Sequence, residues 1–311
     1  MKLGIILPQA GNIANRENIL RMAQSAEAVK IDSLWVFERL LWPIKPQTPY
    51  PATPDGYLPE EYQIMFDPLQ TLGFVAAKTT KIQLGTSILD ILFHNPVMLA
   101  RSLATLDVLS EGSLIAGFGL GWMKDEYQAS NIPFTNKGKR YDEFLQIIKK
   151  TWLDDVVEFK GAFYNIPDSK IGPKPVQKPH IPIYLGGYSP DTFSRTIECD
   201  TSGWLGILID PIENIENIMN GIRERAKKLY KNPDNFKIIL LTCPQIIENG
   251  RNNGNENRFP MCGTIDQIGS DIKRLRSIGI DHMIVGYSFS PMGKDVDRML
   301  ETTKQFLEFA K

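Results

Sequence analysis

The sequence predicts an α/β fold of the (β/α)8 type, a TIM barrel carrying insertions, and three observations predict it. Strand-like and helix-like patterns alternate about eight times along 311 residues, with no break in composition long enough to divide the chain. The first and last strand patterns are both apolar throughout, as strands covered on both faces are, which favours closure over open edges. Two strands end in glycine-containing stretches, at 85–87 and 117–121, and C-terminal strand ends are where barrels place ligands. An open doubly wound sheet is the rival reading of the same alternation. One domain over 1–311 is expected, with insertion loops at about 38–66, 122–135, 154–182 and 244–263.

The first unit is a buried strand at 3–7 followed by a helix at 15–30, where Ile19, Leu20, Ala23, Ala26 and Val29 recur near helical spacing. A second strand covers 33–37. Residues 38–66 then carry six prolines interleaved with Trp42, Tyr50, Tyr57 and Tyr62. So long and aromatic a loop reads as a substrate-side lid rather than a linker. Asp67 and Pro68 start a helix running to 78.

The stretch 82–89 is an apolar strand whose middle, Gly85-Thr86-Ser87, is too small and polar for simple core filling, so an irregular backbone is expected there. Asn95-Pro96 opens a helix over 97–109, with Gly112 expected at its C′ position. A strand at 114–118 runs into Gly117-Phe118-Gly119-Leu120-Gly121-Trp122. An amphipathic helix over 136–153 presents Tyr141, Phe144, Leu145, Ile148 and Trp152 on one face.

A small hairpin is expected at 156–166 and a proline-rich crossing at 172–182, before a strand at 183–185 and a helix through 197. A strand at 202–209, a helix at 212–230 and a strand at 236–243 come next. The polar run 248–257 reads as a solvated loop. A helix at 264–278 capped by Thr264, a strand at 282–285 and a helix at 294–310 complete the pattern.

Composition narrows the function. With 42% apolar and 23% charged residues and a net charge of −1, nothing steers the chain toward nucleic acid or an anionic membrane. Apolar runs fall short of the ~20 residues that span a bilayer. The apolar stretch before Pro8 is too short for a signal core, so it reads as the first strand of a cytoplasmic protein. Cys199, Cys243 and Cys262 are odd in number and widely spaced, as reduced thiols are. His94, His180 and His282 show no paired ligand spacing, so no metal is expected.

Three motifs carry candidate chemistry. The G-x-G-x-G of residues 117–121 lacks the spacing and the acidic partner of a dinucleotide fingerprint, and its glycines would instead leave space for a flat ring. Gly186-Gly187-Tyr188-Ser189, between a strand and a helix, suits a phosphate at a helix N-terminus or is an ordinary tight turn. Glu38 and Arg39, at the end of the second strand beside Trp42, form an acid/base pair or an ion pair closing the lid, and the residues alone favour the ion pair. His94 reads as facing solvent, and neither His180 nor His282 is placed as a base.

Taken together, Asp32-Ser33-Leu34-Trp35-Val36, Leu84-Gly85-Thr86-Ser87-Ile88-Leu89, Asn95-Pro96-Val97, the run from Leu103 to Ser110, Gly117 through Trp122, Pro173-Lys174-Pro175-Val176-Gln177 and Gly186-Gly187 resemble, in order and spacing, the luciferase-like family of flavin- and deazaflavin-dependent oxidoreductases, and within it the members using coenzyme F420. The resemblance covers nearly the whole chain and implies a luciferase-like (β/α)8 barrel with a non-proline cis peptide at Ser87-Ile88 supporting the cofactor's central ring. It implies a cofactor phosphate at Gly186, Gly187, Tyr188 and Ser189, and cofactor-facing positions at Glu38, Asp90, Leu120 and Asp125.

Two departures matter. Many deazaflavin members end the second strand in Asp-His, and the sugar-phosphate dehydrogenases carry a Glu after the third glycine; this chain has Glu38-Arg39 and Trp122. Dehydrogenation of a sugar phosphate is therefore not expected. The expected activity is hydride transfer between the deazaflavin C5 and a small organic acceptor, an activated C=C, C=N or carbonyl. Trp122, with Trp42, Tyr50 and Tyr62, would wall the site, and Glu38, Arg39 or Tyr127 would donate a proton.

The alternatives are an FMN-dependent monooxygenase using oxygen and a non-catalytic cofactor-binding protein. F420 adds an anionic tail that Lys137, Lys139 and Arg140 could serve, though a solvated helix start would look the same. The resemblance also implies a homodimer through helices beside the early strands, with a small-molecule substrate as the other partner.

Overall fold

Eight strands, each short and buried on both faces, close into one barrel. A computed structural model describes residues 1–311 apart from 52, 54, 230, 248–257 and 289. The polar run expected to be a solvated loop at 248–257 lies outside the described residues. The barrel strands are β1 (Lys2–Ile6), β2 (Ser33–Val36), β3 (Gln83–Thr86), β4 (Leu114–Gly119), β5 (Ile183–Gly186), β6 (Gly203–Ile207), β7 (Lys237–Thr242) and β8 (His282–Val285). All pair in parallel in the order β3-β2-β1-β8-β7-β6-β5-β4, and β4 returns to β3 through Leu84 opposite Leu114. This closure removes the open doubly wound alternative.

The helices alternate with the strands: α1 (Arg16–Ala28), α2 (Pro68–Ala76), α3 (Pro96–Leu109), α4 (Lys137–Leu153), α5 (Pro190–Glu198), α6 (Ile212–Lys228), α7 (Ile265–Ser277) and α8 (Val296–Ala310). Their starts are written in the sequence. Asn15, Asp67, Asn95, Ser189 and Asp295 each accept first-turn N–H groups, and Thr264 forms a reciprocal capping box with Gln267. Between helices and strands lies a large apolar layer including Leu3, Leu34, Leu103, Phe144, Ile183 and Phe306. A separate cluster of Ile6, Trp35, Ile115, Leu205, Ile239 and Ile284 fills the barrel interior. Among the described residues no helix is long and apolar enough to cross a membrane.

The structure corrects several boundaries. The stretch 82–89 is not one strand: β3 stops at Thr86, Ser87-Ile88 is a cis peptide, and a two-residue strand, Leu89–Asp90, pairs with Phe118 and Gly119 of β4. At the end of α3 it is Glu111, at φ 52°, that first takes the left-handed conformation, one residue before Gly112. The insertion at 122–135 contains an unforeseen helix, Lys124–Ala129. Gln245–Ile246 and Cys262–Gly263 form a small parallel pair that spacing alone did not reveal. The closing helix starts at Val296, because Pro291–Lys294 forms a separate 3-10 turn. The hairpin appears as expected, Val157–Lys160 against Asn165–Ser169.

Candidate active site at the C-terminal mouth of the barrel

The strand ends explain the small residues that marked them. Thr86 at the end of β3 hydrogen-bonds Gly117 of β4 twice, its hydroxyl donating to the Gly117 carbonyl at 2.9 Å and accepting the Gly117 N–H at 2.9 Å. A Cβ on Gly117 would meet the Thr86 carbonyl oxygen at 2.1 Å, and one on Gly119 would meet Ile88 Cδ1 at 1.7 Å and Asp90 Oδ1 at 2.8 Å. The glycines of β4 thus make room for side chains of this same chain, Ile88 and Asp90, rather than directly for a ring.

Beyond the strand ends, five charged side chains interlock. Glu38 points one carboxylate oxygen at the Asp90 N–H, 2.8 Å away, and the other at His94 Nε2, also 2.8 Å away. Arg39 turns the other way, Nη1 lying 2.9 Å from Glu126 Oε2 and Nη2 3.9 Å from Asp90 Oδ2. The second oxygen of Glu126 accepts the Leu40 N–H at 2.9 Å. Glu38 and Arg39 are therefore both ion-paired, but with separate partners.

Burial governs the electrostatics. Asp90 is 3% exposed, and its carboxyl is pushed up to about 7, chiefly by burial; Arg39 and the Gly121 N–H pull it down, while Glu38 and Glu126 add to the rise. Burial also raises Glu126 against the opposing pull of Arg39. For His94 burial works downward, but the hydrogen bond and charge of Glu38 prevail and leave the imidazole raised.

Over this cluster lies the lid. Leu58, Tyr62 and Met123 are its buried centre, with Phe37, Trp42, Tyr50 and Trp122 packed on them. Tyr50 lies 5.6 Å from the Trp122 ring, and Arg39 stacks 5.4 Å over Trp122. The Asp125 carboxylate accepts the Gln47 N–H at 3.1 and 3.3 Å and ties the lid to the short helix. Tyr127 is buried, its hydroxyl donating to the Leu120 carbonyl, and burial pushes the phenol up. Of the three basic residues considered for a cofactor tail, Lys137 faces the mouth, reaching the Gly121 carbonyl at 3.5 Å with its ammonium lowered by burial. Arg140 stacks instead on Phe163, and Lys139 is exposed.

The fourth side of the mouth is the start of α5. Ser189 caps it, accepting the Thr192 N–H at 3.2 Å; Trp204 Nε1 holds the Gly187 carbonyl at 2.8 Å; and the Tyr188 hydroxyl bridges to the backbone of Ile207. Gly187 has φ 123°, a conformation that favours glycine.

The sequence reading missed Glu126 and turned His94 to solvent, whereas its ring packs half-buried against Glu38. A signal for Glu126 existed: it lies between Met123 and Tyr127 on a helical period, both apolar-facing and buried, so a carboxylate there was bound to need a cation. His94 gave no such signal, since its contact with Glu38 spans 56 residues.

The model of the luciferase-like monooxygenase family matches residues 1–252, most of the chain. The chain belongs to the luciferase-like monooxygenase family. An uncharacterised protein of Mycobacterium tuberculosis is 33% identical over 184 residues, 59% of this chain, and the match spans 65% of that relative's length. The F420-dependent glucose-6-phosphate dehydrogenase of Amycolatopsis mediterranei is 31% identical over 179 residues, 56% of this chain and 48% of that protein. Among solved structures, a monooxygenase from Streptomyces bottropensis superposes with a TM-score of 0.80 at 22% identity, covering 99% of this chain and 98% of the other, which establishes the luciferase-like TIM-barrel fold.

Two atoms test whether the mouth fits a resident cofactor. Ser87 Oγ and Asp90 Oδ1 are both buried without a hydrogen-bond partner among the described residues, and they flank Ile88 at the end of β3. Buried polar atoms left bare cost about 1–3 kcal/mol each, so their persistence here fits a polar ring system that satisfies them.

Proposed function

We propose that this luciferase-like protein is a cytoplasmic oxidoreductase that binds coenzyme F420 across the barrel mouth and reduces or oxidises a small organic substrate. The unpartnered pair Ser87 Oγ and Asp90 Oδ1 carries the reading. The identity to an F420-dependent dehydrogenase favours the deazaflavin over FMN. The bound cofactor would supply a hydride at C5.

The protein's part is to hold and to exclude water. Ser87, Ile88, Asp90, Leu120 and Glu38 would seat the central ring, and Gly186, Gly187, Tyr188 and Ser189 the phosphate, where the start of α5 offers its positive dipole end. Asp125 would act on the site through the lid. Trp122 and Tyr50 would wall the substrate space, with Glu38 and Arg39 setting its charge and Tyr127 holding Leu120. An aromatic mouth with Trp122 supports an apolar or planar acceptor over a sugar phosphate. Exposed Met98 and Leu109 on α3, beside an early strand, support the homodimer.

The test is titration of purified protein with F420 and with FMN, followed by fluorescence. Micromolar binding of F420, with turnover of an acceptor panel, is expected. Binding of FMN alone, with oxygen consumed, would establish the family's monooxygenase reading instead. Binding without turnover of any acceptor would leave a cofactor-binding protein.

A further inference from the structure

The close ion pairs at the barrel mouth do not balance. Within 4 Å of one another, three carboxyl groups, Glu38, Asp90 and Glu126, share two cationic partners, Arg39 and His94, while the Lys137 ammonium lies against the Gly121 carbonyl and acts on Asp90 from farther off. Each oxygen of Glu38 and Glu126 is committed, to the Asp90 N–H, His94, Arg39 and the Leu40 N–H. Asp90 has the Gly121 N–H and the distant contact to Arg39, at 3.9 Å, and its Oδ1 has no hydrogen-bond partner among the described residues. A surplus buried carboxyl takes up a proton, and the one with the uncommitted oxygen is the one that does so at least cost.

We propose that Asp90 stands at the mouth as a neutral carboxylic acid and delivers its proton to the substrate, while Glu38 with His94 and Arg39 with Glu126 bracket it and set how readily it lets go. This rests on the oxidoreductase reading above. In the reductive direction the substrate carbon takes a hydride, with its electron pair, from the reduced deazaflavin, which also releases one proton. The adjoining heteroatom or carbon of the substrate takes the Asp90 proton, and the carboxylate left behind recovers the one released. Arg39, within reach of Oδ2, stabilises that carboxylate in the meantime.

The groups facing Asp90 come from every neighbouring element. Glu38 and Arg39 lie at the end of β2, Glu126 and Tyr127 on the short helix Lys124–Ala129, Lys137 and Tyr141 on α4, and His94 ahead of α3. Glu38 and Glu126 oppose ionisation of Asp90, whereas Arg39, Lys137 and a protonated His94 favour it. Its titration near 7 agrees with the charge count, leaving both forms accessible around neutrality.

Infrared difference spectra of the cofactor-free protein across pH 5 to 9 read the acid directly. A carboxylic carbonyl band lost with a midpoint near pH 7, absent in Asp90→Asn and shifted to higher pH in His94→Gln, is expected. With F420 at saturation and an acceptor that wild type reduces, Asp90→Asn should lose turnover by about 10²-fold or more. A spectrum without that band in wild type, the same band in Asp90→Asn, or full turnover by a folded Asp90→Asn would each overturn the proposal. Wild-type protein that does not turn over F420 at all would sink the oxidoreductase reading and the donor role with it. The infrared titration would still say whether the acid is neutral.

Discussion

Arg39 Nη1 lies 2.9 Å from Glu126 Oε2, with the two side chains 11% and 1% exposed, and this pair joins the end of β2 to a helix that the sequence did not announce. A buried ion pair adds little net stability relative to an apolar pair, but removing one partner strands the other. Glu126→Ala leaves the guanidinium with the 3.9 Å contact to Asp90 and the Leu40 N–H unmatched. It should cost about 3–5 kcal/mol, read as a lowered midpoint in urea, while Glu126→Gln, which keeps an acceptor for Leu40, should cost less.

Gly117 and Gly119 should respond differently to alanine. At Gly117 the new methyl meets backbone, the Thr86 carbonyl, which has no means of moving aside without opening the β3–β4 pair. At Gly119 it meets the end of the Ile88 side chain. Gly119→Ala should therefore cost about 1–3 kcal/mol and weaken cofactor binding as Ile88 swings into the mouth, with Ile88→Ala restoring much of the loss in the double mutant. Gly117→Ala should be the more destabilising in thermal melts.

His282 makes the fold sensitive to acid. It is buried among the β-strands, 2.7 Å from the Ser33 hydroxyl and edge-on to Trp35, and burial, with Lys2 and the N-terminal ammonium adding, lowers it to about 3. The unfolded chain would titrate near 6.5. Between these values the unfolded state binds the extra proton, so the His282 contribution is full above about pH 6.5 and is lost as pH falls toward about 3. Urea midpoints measured from pH 7 down to 4 should decline, and His282→Asn should flatten that slope while lowering the plateau.

The lid is pinned by Asp125 to the Gln47 N–H, by the Gln47 amide to Gln128 at 2.8 Å, and by the Lys124 N–H to the Thr48 hydroxyl at 3.2 Å. Asp125→Ala should loosen 38–66 without unfolding the barrel. Limited proteolysis should cut that segment several-fold faster, and KM for the acceptor should rise more than kcat falls. An unchanged cleavage rate would mean that the remaining contacts, Gln47 to Gln128, Lys124 to Thr48 and Tyr50 on Trp122, hold the lid without Asp125.

Much of the architecture was legible in the chain. Short continuous apolar runs and capping residues such as Asn95, Asp67 and Thr264 act within a few residues of themselves, so they marked strands and helix starts locally. The glycines of β4 were also visible, but what they accommodate was not. Only folding brought Thr86 against Gly117 and Ile88 against Gly119, across some thirty residues. The left-handed residue after α3 escaped for the opposite reason: a non-glycine, Glu111, adopts the conformation that composition assigned to its neighbour.

The sequence by itself determined the alternation of elements, the places where helices begin and the strand ends at which a ligand would sit, because each depends on short-range periodicity and backbone preference. Tertiary structure alone decided which charges meet. Glu38 could not be assigned to His94, nor Arg39 to Glu126, from residues 56 and 87 positions apart, and the pairing of charges is what leaves Asp90 with an oxygen uncommitted among the described residues. The physical reason is range: backbone propensities act within a turn, whereas the cost of burying a carboxyl depends on every charge that folding brings within a few ångströms.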